Sequence, residues 1–367
     1  MTIPPSSAGE IEAADRPSLL GLSRSALAQA LADLVDRPFR VDQIYRALHH
    51  DGVSRFEDIS NLPKVLRQEL DRRYSVGLPE TATRQASADG TEKFLFELRD
   101  GATIETVDIP DGGRRTICLS SQAGCAMACK FCVTGFWGAG RNLTAGEIVG
   151  QVLALRRQRQ LDSAGLNLVF MGMGEPLLNL PSVEQALAIL TESISWRRIT
   201  VSTVGILPGI EAMSLWPRRP NLAISLHAPD DERRSRIMPI NKTYPLSDLV
   251  TALRRYPLEA GRKLTFEYLL IRGFNDQPRD ADALVRRLQG LPAKINLIPI
   301  NPDPVLGEGM MPPSPGDVER FRDRLRQRGW IATIRRRRGE DVSAACGQLR
   351  AFGREARGFR GAATVSY

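Results

Sequence analysis

Residues 116–132, TICLSSQAGCAMACKFC, place three cysteines in a loop that follows a short apolar strand. Cys125, Cys129 and Cys132 are separated by three and then two residues, and the aromatic Phe131 precedes the last of them. Three thiolates this close together can hold a metal centre. An iron-sulfur cluster on three cysteines leaves one iron open to a substrate, so the spacing favours a catalytic cluster.

The three-then-two spacing resembles that of the radical S-adenosylmethionine (SAM) superfamily. A structural zinc site is the alternative, although zinc normally takes four ligands, usually as two separated pairs. Cys118 could supply a fourth ligand, so zinc stays open on the sequence. Colour distinguishes the two, because an anaerobically purified iron-sulfur protein is brown and a zinc protein is colourless.

The sequence after the hairpin region alternates short apolar strands with helical stretches. Strands are predicted at TICLSS, LNLVFMG, ITVST, LAISLH, LTFEYLL and KINLIPI, with a last one near WIATIR. Helical periodicity between them, as at 144–160 and 182–195, indicates βα units. Six units predict an α/β fold, a partial (β/α)6 TIM-like barrel within 116–350. Chemistry in that architecture lies at the carboxyl ends of the strands.

Polar residues cluster at these predicted strand ends. Gly174 and Glu175 lie in MGMGEP, where glycine lets a ligand approach the backbone and the carboxylate can accept from an ammonium group. Other strand ends carry Ser202, Ser225, His227 and Asn301, and the Pro- and Gly-rich 301–316 is predicted to be a long loop at the same edge. Each polar residue alone suits a cap or a core group, but their common edge favours ligand binding.

Two segments precede the barrel. Residues 19–75 have helical periodicity, with Ser23 and Ser60 as candidate caps, and 19–90 are predicted to form a small helical accessory domain. Their many Arg and Lys with interspersed Phe and Tyr suit RNA binding, and a solvated helical face explains them about as well. Residues 91–115 are predicted to be a β-hairpin connector because Asp-Gly at 100–101 favours a tight turn.

Composition limits the class of protein. Fifty Lys and Arg against 42 Asp and Glu give a net charge of +8, which favours a polyanionic partner, although ordinary solubility charge explains it too. The polar leader, 1–18, resembles neither a signal nor a transit peptide, and 351–367 is predicted to be a basic tail. No apolar run reaches the ~20 residues of a membrane helix. We therefore expect a cytoplasmic protein with reduced thiols and no membrane partner.

Two cysteines lie outside the triplet. Cys118 and Cys346 are far apart in sequence, and two inert small hydrophobes would explain them. Cys346 nevertheless lies in the Gly- and Ala-rich stretch 339–349, GEDVSAACGQL, which core packing does not explain. An accessible thiol in such a loop suits nucleophilic chemistry.

Taken together, these stretches closely resemble the RlmN family of RNA adenine-carbon-2 methyltransferases and its near relative Cfr, which methylates carbon 8. The matches run from near residue 38 to near residue 350: PFRVDQIYRAL, IETVDIP, TICLSSQAGCAMACKFCVTGFWGAGRNLTAGEIVGQVL, VFMGMGEPLLN, ITVSTVGI, LAISLHAP, PINPDP and RGEDVSAACGQL. Two stretches depart from the family pattern: GEDVS at 339–343, where the family commonly has Gly-Asp-Asp-Ile-Asp, and GFWGAGRNL. Neither changes a residue that matches a family ligand.

The resemblance implies a role for individual residues. Cys346 carries a methyl group, Cys118 is the resolving thiol that forms a transient disulfide with it, and Glu105 in IETV accepts a proton. A four-iron, four-sulfur cluster is held by Cys125, Cys129 and Cys132, and SAM is held by Gly174, Glu175, Ser202, Ser225, Leu226, His227 and Asn301.

The implied chemistry consumes two SAM molecules per turnover. One methylates the sulfur of Cys346, and the other is split at the cluster to a 5′-deoxyadenosyl radical that takes a hydrogen from that methyl group. The resulting carbon radical adds to adenine carbon 2, which is too electron-poor to attack a sulfonium methyl directly. Cys118 then frees the RNA and leaves a disulfide for reduction.

The implied substrates are 23S rRNA near the peptidyl-transferase centre and an anticodon-loop adenosine of tRNA, with the adenine unpaired or flipped out. The implied partners are an electron donor such as a flavodoxin or ferredoxin and a disulfide reductant, and we expect a monomer. A carbon-8 enzyme of the Cfr type shares every cluster and cysteine residue. A non-catalytic RNA-binding protein with a structural metal is the alternative of a different class.

Overall fold

The computed structural model describes residues 16–307 and 309–350. The expected basic tail, 351–367, and residues 1–15 of the expected polar leader, 1–18, lie outside the described residues. In the described part, none of the helices has both the length and the apolar character that a membrane crossing requires.

The strands belong to one large sheet and one small ribbon. The strands are β1 Glu80–Ala86, β2 Glu92–Glu97, β3 Thr103–Asp111, β4 Arg114–Cys118, β5 Gln122–Ala123, β6 Arg141–Asn142, β7 Leu166–Phe170, β8 Ile199–Thr203, β9 Asn221–Ser225, β10 Leu264–Leu270, β11 Ala293–Pro299 and β12 Ala332–Ile334. The large sheet has the order β1-β2-β3-β4-β7-β8-β9-β10-β11-β12, and β5 pairs with β6. Pairing is antiparallel from β1 to β4 and parallel from β4 to β12.

Helices connect the parallel strands. The longer helices are α1 Arg24–Ala30, α2 Pro38–Arg46, α3 Lys64–Arg73, α4 Ala145–Arg159, α5 Leu180–Leu190, α6 Leu207–Ser214, α7 Asp231–Ile237, α8 Leu246–Arg255, α9 Pro278–Leu288 and α10 Pro315–Gln327. The core therefore has six βα units, starting at β4-α4 and ending at β11-α10, and β12 is the last strand of the sheet. In the described chain the end strands β1 and β12 do not pair with each other, so the barrel stays open. This confirms the predicted partial (β/α)6 barrel.

Burial explains why these stretches form strands. β10, LTFEYLL, is buried along nearly its whole length, and β7 and β8 alternate buried and half-buried residues. Parallel strands covered by helices bury apolar side chains, whereas the half-buried positions of β7 and β8 include the polar residues Asn167, Thr200 and Ser202. Where the strand ends extend beyond the covering helices, they can carry polar side chains.

Two expectations for the region before the barrel need correction. Residues 80–86 form β1 instead of belonging to the helical segment 19–90, and β1 pairs antiparallel with β2. The expected hairpin of 91–115 is present as β2 and β3, with Gly101 at a φ of +80° in the turn. The hairpin was expected only to connect the helical segment to the barrel. It is instead part of the barrel sheet, because β3 pairs with β4.

The helical segment contains one of the two expected caps. The Ser23 hydroxyl accepts from the Ala26 N–H at 3.2 Å and caps α1. Ser60 lies in a turn, and α3 begins after Pro63 without a side-chain cap. Proline already fixes a suitable φ before the first turn, so the helix starts there instead.

Close backbone contact joins the helical segment to the barrel. Gly21 has a φ of +86°, and a Cβ there would lie 2.1 Å from the Gly146 nitrogen in the first turn of α4. Leu27, Ile44 and Leu48 belong to the same buried apolar cluster as the barrel strands. The segment is therefore packed on the barrel through a continuous core.

Candidate active site

A cavity opens at the carboxyl ends of the parallel strands. Its walls bring together most of the residues predicted to hold a cluster and SAM, together with Cys346: Cys125, Cys129, Cys132, Gly174, Glu175, Ser202, Ser225 and His227. Cys118 and Asn301 line a neighbouring cavity instead. Glu105 and Leu226 are buried and line neither.

The ribbon of β5 and β6 encloses the loop that carries the three cysteines. Backbone N–H groups of the loop donate within the loop and to its surroundings. The Cys125 N–H donates to the Gly138 oxygen at 2.9 Å, and the Cys132 N–H donates to the Cys129 oxygen at 3.2 Å. These bonds hold the three thiols on one side of the cavity.

The thiols suit a metal centre of several atoms. Burial raises the pKa of all three, to about 11 for Cys125, and repulsion between the sulfur charges adds to this at Cys125 and Cys129. Bound metal reverses the effect, because coordinated thiols lose their protons. In residues 16–307 and 309–350, no three His, Cys, Asp or Glu side chains are arranged to hold a single metal ion. A four-iron cluster does not need three side chains around a single ion, because each cysteine binds a different iron atom.

Glu175 lies in the loop after β7 and is buried. Its Oε1 accepts from the Leu177 N–H at 3.0 Å and its Oε2 from the Val204 N–H at 2.9 Å. Burial raises the pKa of this carboxyl to about 7. Each oxygen keeps a further lone pair, so the group can also accept from an ammonium ion in the cavity.

The glycines of MGMGEP have a packing role that the sequence did not predict. A Cβ on Gly174, where φ is +96°, would lie 2.5 Å from the Gln122 Cβ, and a Cβ on Gly172 would lie 2.6 Å from the Leu119 oxygen. Close packing against the chain around β5 therefore requires both glycines. Gln122 also accepts from the Glu175 N–H through its Oε1 at 2.9 Å, which fixes the backbone at that carboxylate.

A buried arginine organises the ends of β8 and β9. Arg234, from α7, is fully buried and donates to the carbonyl oxygens of Val204 at 2.6 Å, Ser225 at 3.2 Å and Leu226 at 3.1 Å. Ser202 and Ser225 line the cavity next to these carbonyls. The sequence alone offers no signal for Arg234, which lies in an ordinary charged helix.

His227 is a neutral donor in the cavity. Its Nδ1 accepts from the Leu269 N–H at 3.1 Å, which assigns the proton of the neutral ring to Nε2. Burial is the main cause that lowers the pKa of the ring to about 3, and the charge of Arg234 is the second cause. Phe131, the aromatic residue before the last cysteine, packs edge-on against the ring with centroids 4.6 Å apart.

Cys346 lies between two cavities. It lines the one that holds the cysteine triplet and also the neighbouring one, where Cys118 lies at the end of β4. Burial raises the pKa of the Cys118 thiol to about 12. Cys118 thus faces Cys346 and not the triplet, which removes the support for a zinc site with Cys118 as its fourth ligand.

The loop of Cys346 is bonded to the loop of the cysteine triplet. The Val133 N–H donates to the Gly347 oxygen at 2.7 Å, and the Thr134 hydroxyl donates to the Leu349 oxygen at 2.8 Å. Asn301 donates through Nδ2 to the Cys346 oxygen at 3.1 Å. These bonds hold the loop of the predicted methyl carrier against the loop of the three cysteines.

Comparison with known proteins agrees with this geometry. Residues 119–284 match the family model of the radical SAM superfamily, and residues 18–76 match that of the ribosomal RNA large subunit methyltransferase N-terminal domain. The chain is 45% identical to the dual-specificity RNA methyltransferase RlmN of Anaeromyxobacter dehalogenans over 351 residues, 92% of this chain and 93% of that protein. Its identity to the RlmN of Halorhodospira halophila is 46% over 344 residues, 92% of this chain and 95% of that protein.

The chain belongs to the RlmN family. A solved radical SAM methyltransferase from Sphaerobacter thermophilus has the same fold, with a TM-score of 0.86 and 42% identity over 91% of this chain and 99% of its own. As an RlmN-family member, the protein is a radical SAM RNA methyltransferase. Radical SAM enzymes use a four-iron, four-sulfur cluster and SAM, and the cavity chemistry fits both.

Glu105 has a structural partner that its sequence context does not reveal. It is buried in β3, where its Oε1 pairs with Lys93 Nζ at 3.0 Å and its Oε2 accepts from the Arg350 N–H at 2.6 Å. Burial raises the pKa of this carboxyl, although Lys93 and Arg350 oppose the shift. In this RlmN-family fold Glu105 thus joins the hairpin to the end of the Cys346 loop.

Two further residues that line the cavities were not predicted from the sequence. Arg335 follows β12 and lines both cavities, and Glu267 lies in β10 on the wall of the first. Cys346 is the main group that raises the pKa of Arg335, followed by Glu267 and Cys118. A signal exists for both, since Arg335 directly follows a predicted strand and Glu267 is a lone charge in the apolar run LTFEYLL.

Proposed function

We propose that this RlmN-family protein methylates carbon 2 of an adenosine in 23S rRNA and of an adenosine in a tRNA anticodon loop, with Cys346 as the methyl carrier. The observation that supports it most is the position of Cys346, which lines the cofactor cavity on one side and the cavity of Cys118 on the other. A methyl group on this sulfur would therefore border both cavities.

The residues that we assign to the cofactors line the first cavity, except Leu226 and Asn301. Cys125, Cys129 and Cys132 would hold the cluster, and Glu175 would accept from the amino group of SAM. The remaining SAM contacts are assigned to Gly174, Ser202, Ser225, Leu226, His227 and Asn301. When bound, the cluster and SAM supply the radical that removes a hydrogen atom from the methyl group on Cys346.

The other steps are assigned to side chains of the protein. The Cys346 thiol gives up its proton and takes a methyl group, whose carbon later bonds to carbon 2 of adenine. The adduct at carbon 2 then gives up one electron, for which the oxidised cluster would be the acceptor. Cys118 attacks as a thiolate on the Cys346 sulfur, so that the bond from sulfur to carbon breaks with its electron pair left on the carbon and a Cys118–Cys346 disulfide forms. Glu105 accepts the proton that carbon 2 loses, and the former bridging carbon takes up a proton and becomes the methyl group. A dithiol reductant restores the two thiols.

The carrier and release roles are tested by trapping the covalent protein–RNA adduct. With Cys118→Ala, we expect a crosslink to the substrate RNA that survives denaturation, because the releasing thiol is gone. The double variant Cys118→Ala/Cys346→Ala is the matched control and should show no crosslink. A crosslink that persists in the double variant, or a Cys346→Ala single variant that still methylates RNA, would overturn the proposal.

The cellular setting is proposed from the same family. We propose a cytoplasmic monomer that receives electrons from a flavodoxin or ferredoxin and has its disulfide reduced by a dithiol protein. A Cfr-type enzyme with the same cysteines would modify carbon 8 instead, so the methylated position has to be measured on the RNA.

A further inference from the structure

The cavity on the far side of Cys346 has walls suited to a nucleotide. Apolar side chains of Ile109, Met171 and Ile298 line it, with Cys118 and Cys346. A run of arginines after β12, Arg335 to Arg338, lines the same cavity. A planar base with a phosphate attached matches such a combination of apolar wall and guanidinium groups.

The arginines of this run differ in how they are bonded. Arg337 donates to Glu340 Oε1 at 2.9 Å and to the Ile300 oxygen at 3.0 Å, so its guanidinium holds the loop in place. Arg338 lies 3.6 Å from Asp111. Arg336 is exposed, and no hydrogen bond or ion pair to another described residue occupies it. Within the described part of the chain, Arg336 is thus the member of the run whose guanidinium is left for a ligand.

The loop behind Arg336 is fixed by the turn between β1 and β2. The Gly339 N–H donates to Asp89 Oδ2 at 3.1 Å, and Asp341 Oδ2 accepts from the Ala88 N–H at 3.1 Å. Gly339 and Asp341 both belong to the stretch 339–343, at positions where it keeps the residues of the family pattern. They hold the arginine run beside the cavity before any ligand arrives, which lowers the ordering cost of binding.

We infer that substrate RNA reaches Cys346 through this second cavity, and that Arg336 binds a backbone phosphate next to the target adenosine. The inference rests on the proposed function. The three cluster cysteines and most of the residues assigned to SAM line the first cavity, whereas Asn301 lines the second, so the adenine needs a different way to the sulfur. The second cavity provides this route. It also places the Cys118 thiol beside the bond from the Cys346 sulfur to carbon that has to break. A guanidinium at the mouth of this cavity suits an RNA phosphate by charge and by its paired donors.

The test measures RNA affinity of the holoenzyme with an unmodified tRNA transcript at several salt concentrations. Arg336→Glu is the test variant, and Arg336→Lys keeps the charge. Arg218→Glu is the matched control, because Arg218 is also exposed but lies just before β9, at the opposite end of the barrel. Melting temperature reports whether each variant is folded.

We expect Arg336→Glu to weaken RNA binding about tenfold or more, since a charge-assisted phosphate contact is lost. The slope of log affinity against log salt should become shallower by about 0.7 for one lost phosphate contact. Arg336→Lys should retain most of the affinity, and Arg218→Glu should bind like the wild type.

Equal binding by Arg336→Glu and Arg218→Glu, whether both strong or both weak, would overturn the inference. If Arg336→Glu is misfolded, Arg336→Gln replaces it and should fall between Lys and Glu. A wild type that binds RNA but never methylates it would count against the proposed function alone, because the comparison of the two variants measures binding without catalysis.

Discussion

Glu175 combines deep burial with a role that needs a negative charge. Its oxygens accept from the N–H groups of Leu177 and Val204, yet burial still raises its pKa to about 7. Between the ordinary value of 4.5 and about 7, the folded protein binds a proton that the unfolded chain has lost. Without SAM, this group therefore makes the fold less stable as the pH rises through that window.

Binding of SAM should show the opposite dependence on pH. The proton has to leave Glu175 before the carboxylate can pair with the SAM ammonium, so affinity should strengthen between about pH 6 and about pH 7.5, below the range where α-amino groups titrate. Equilibrium dialysis of SAM against the holoenzyme measures this. Glu175→Gln should bind more weakly and lose the trend, and an unchanged trend in the variant would exclude Glu175 as its source.

Variants of the buried Lys93–Glu105 ion pair can distinguish a structural role of Glu105 from a chemical one. Both side chains are more than nine-tenths buried, at 8% and 4% exposure. Lys93→Met leaves a buried carboxylate without its cation, and we expect unfolding in urea to show a loss of about 3–5 kcal/mol. Lys93→Met/Glu105→Gln removes both charges and should recover most of that stability.

The same double variant tests Glu105 as proton acceptor. Because it keeps the fold but lacks the carboxylate, we expect it to bind RNA while methylation slows by about a hundredfold or more, as when a general base is removed. Single-turnover methylation of a tRNA transcript measures the rate. A double variant as fast as the wild type would show that Glu105 only holds the hairpin to Arg350.

At the scale of elements, Glu192 fastens the helical segment to the barrel. It lies just after α5 and accepts from Arg24 at 2.7 Å, Tyr45 at 2.9 Å and His50 at 2.9 Å. The hydrogen bond from Arg24 is the main cause that lowers the pKa of Glu192 to about 2. Three residues of the segment thus converge on one carboxylate of the core.

Glu192→Gln should loosen this contact. We expect a loss of about 1–2 kcal/mol near neutral pH and faster hydrogen exchange in α1 and α2, because the bonds lose their charge. The loss should shrink as the pH falls below the ordinary 4.5 toward about 2, where the wild-type carboxylate takes up its proton. Glu184→Gln, an exposed carboxylate on α5, is the control and should change neither quantity.

The elements that the sequence predicted best are the parallel strands. LNLVF and LTFEYLL are apolar runs that only a covered sheet explains, and both form strands. β1, ETATRQA, escaped prediction because its residues are nearly all exposed, so it has no apolar face to identify it. Its place at the edge of the sheet depends on pairing with β2, which local sequence does not encode.

At the scale of the whole molecule, distant segments meet in ways that no local pattern reveals. The cysteine spacing and the strand ends predicted one shared edge, and the first cavity contains those residues except Asn301, which lines the neighbouring one. The contacts of Thr134 with Leu349 and of Glu105 with Arg350 join segments more than 200 residues apart. These contacts position Cys346 between its two cavities, and they exist only in the folded chain.

Cys346 as a carrier to carbon 2 is tested most directly by mass spectrometry of RNA nucleosides. A strain deficient in this methylation is complemented with the wild-type chain or with Cys346→Ala. We expect 2-methyladenosine to return in both rRNA and tRNA with the wild type and in neither with the variant. Recovery of 8-methyladenosine instead, or of 2-methyladenosine with Cys346→Ala, would contradict the proposed chemistry.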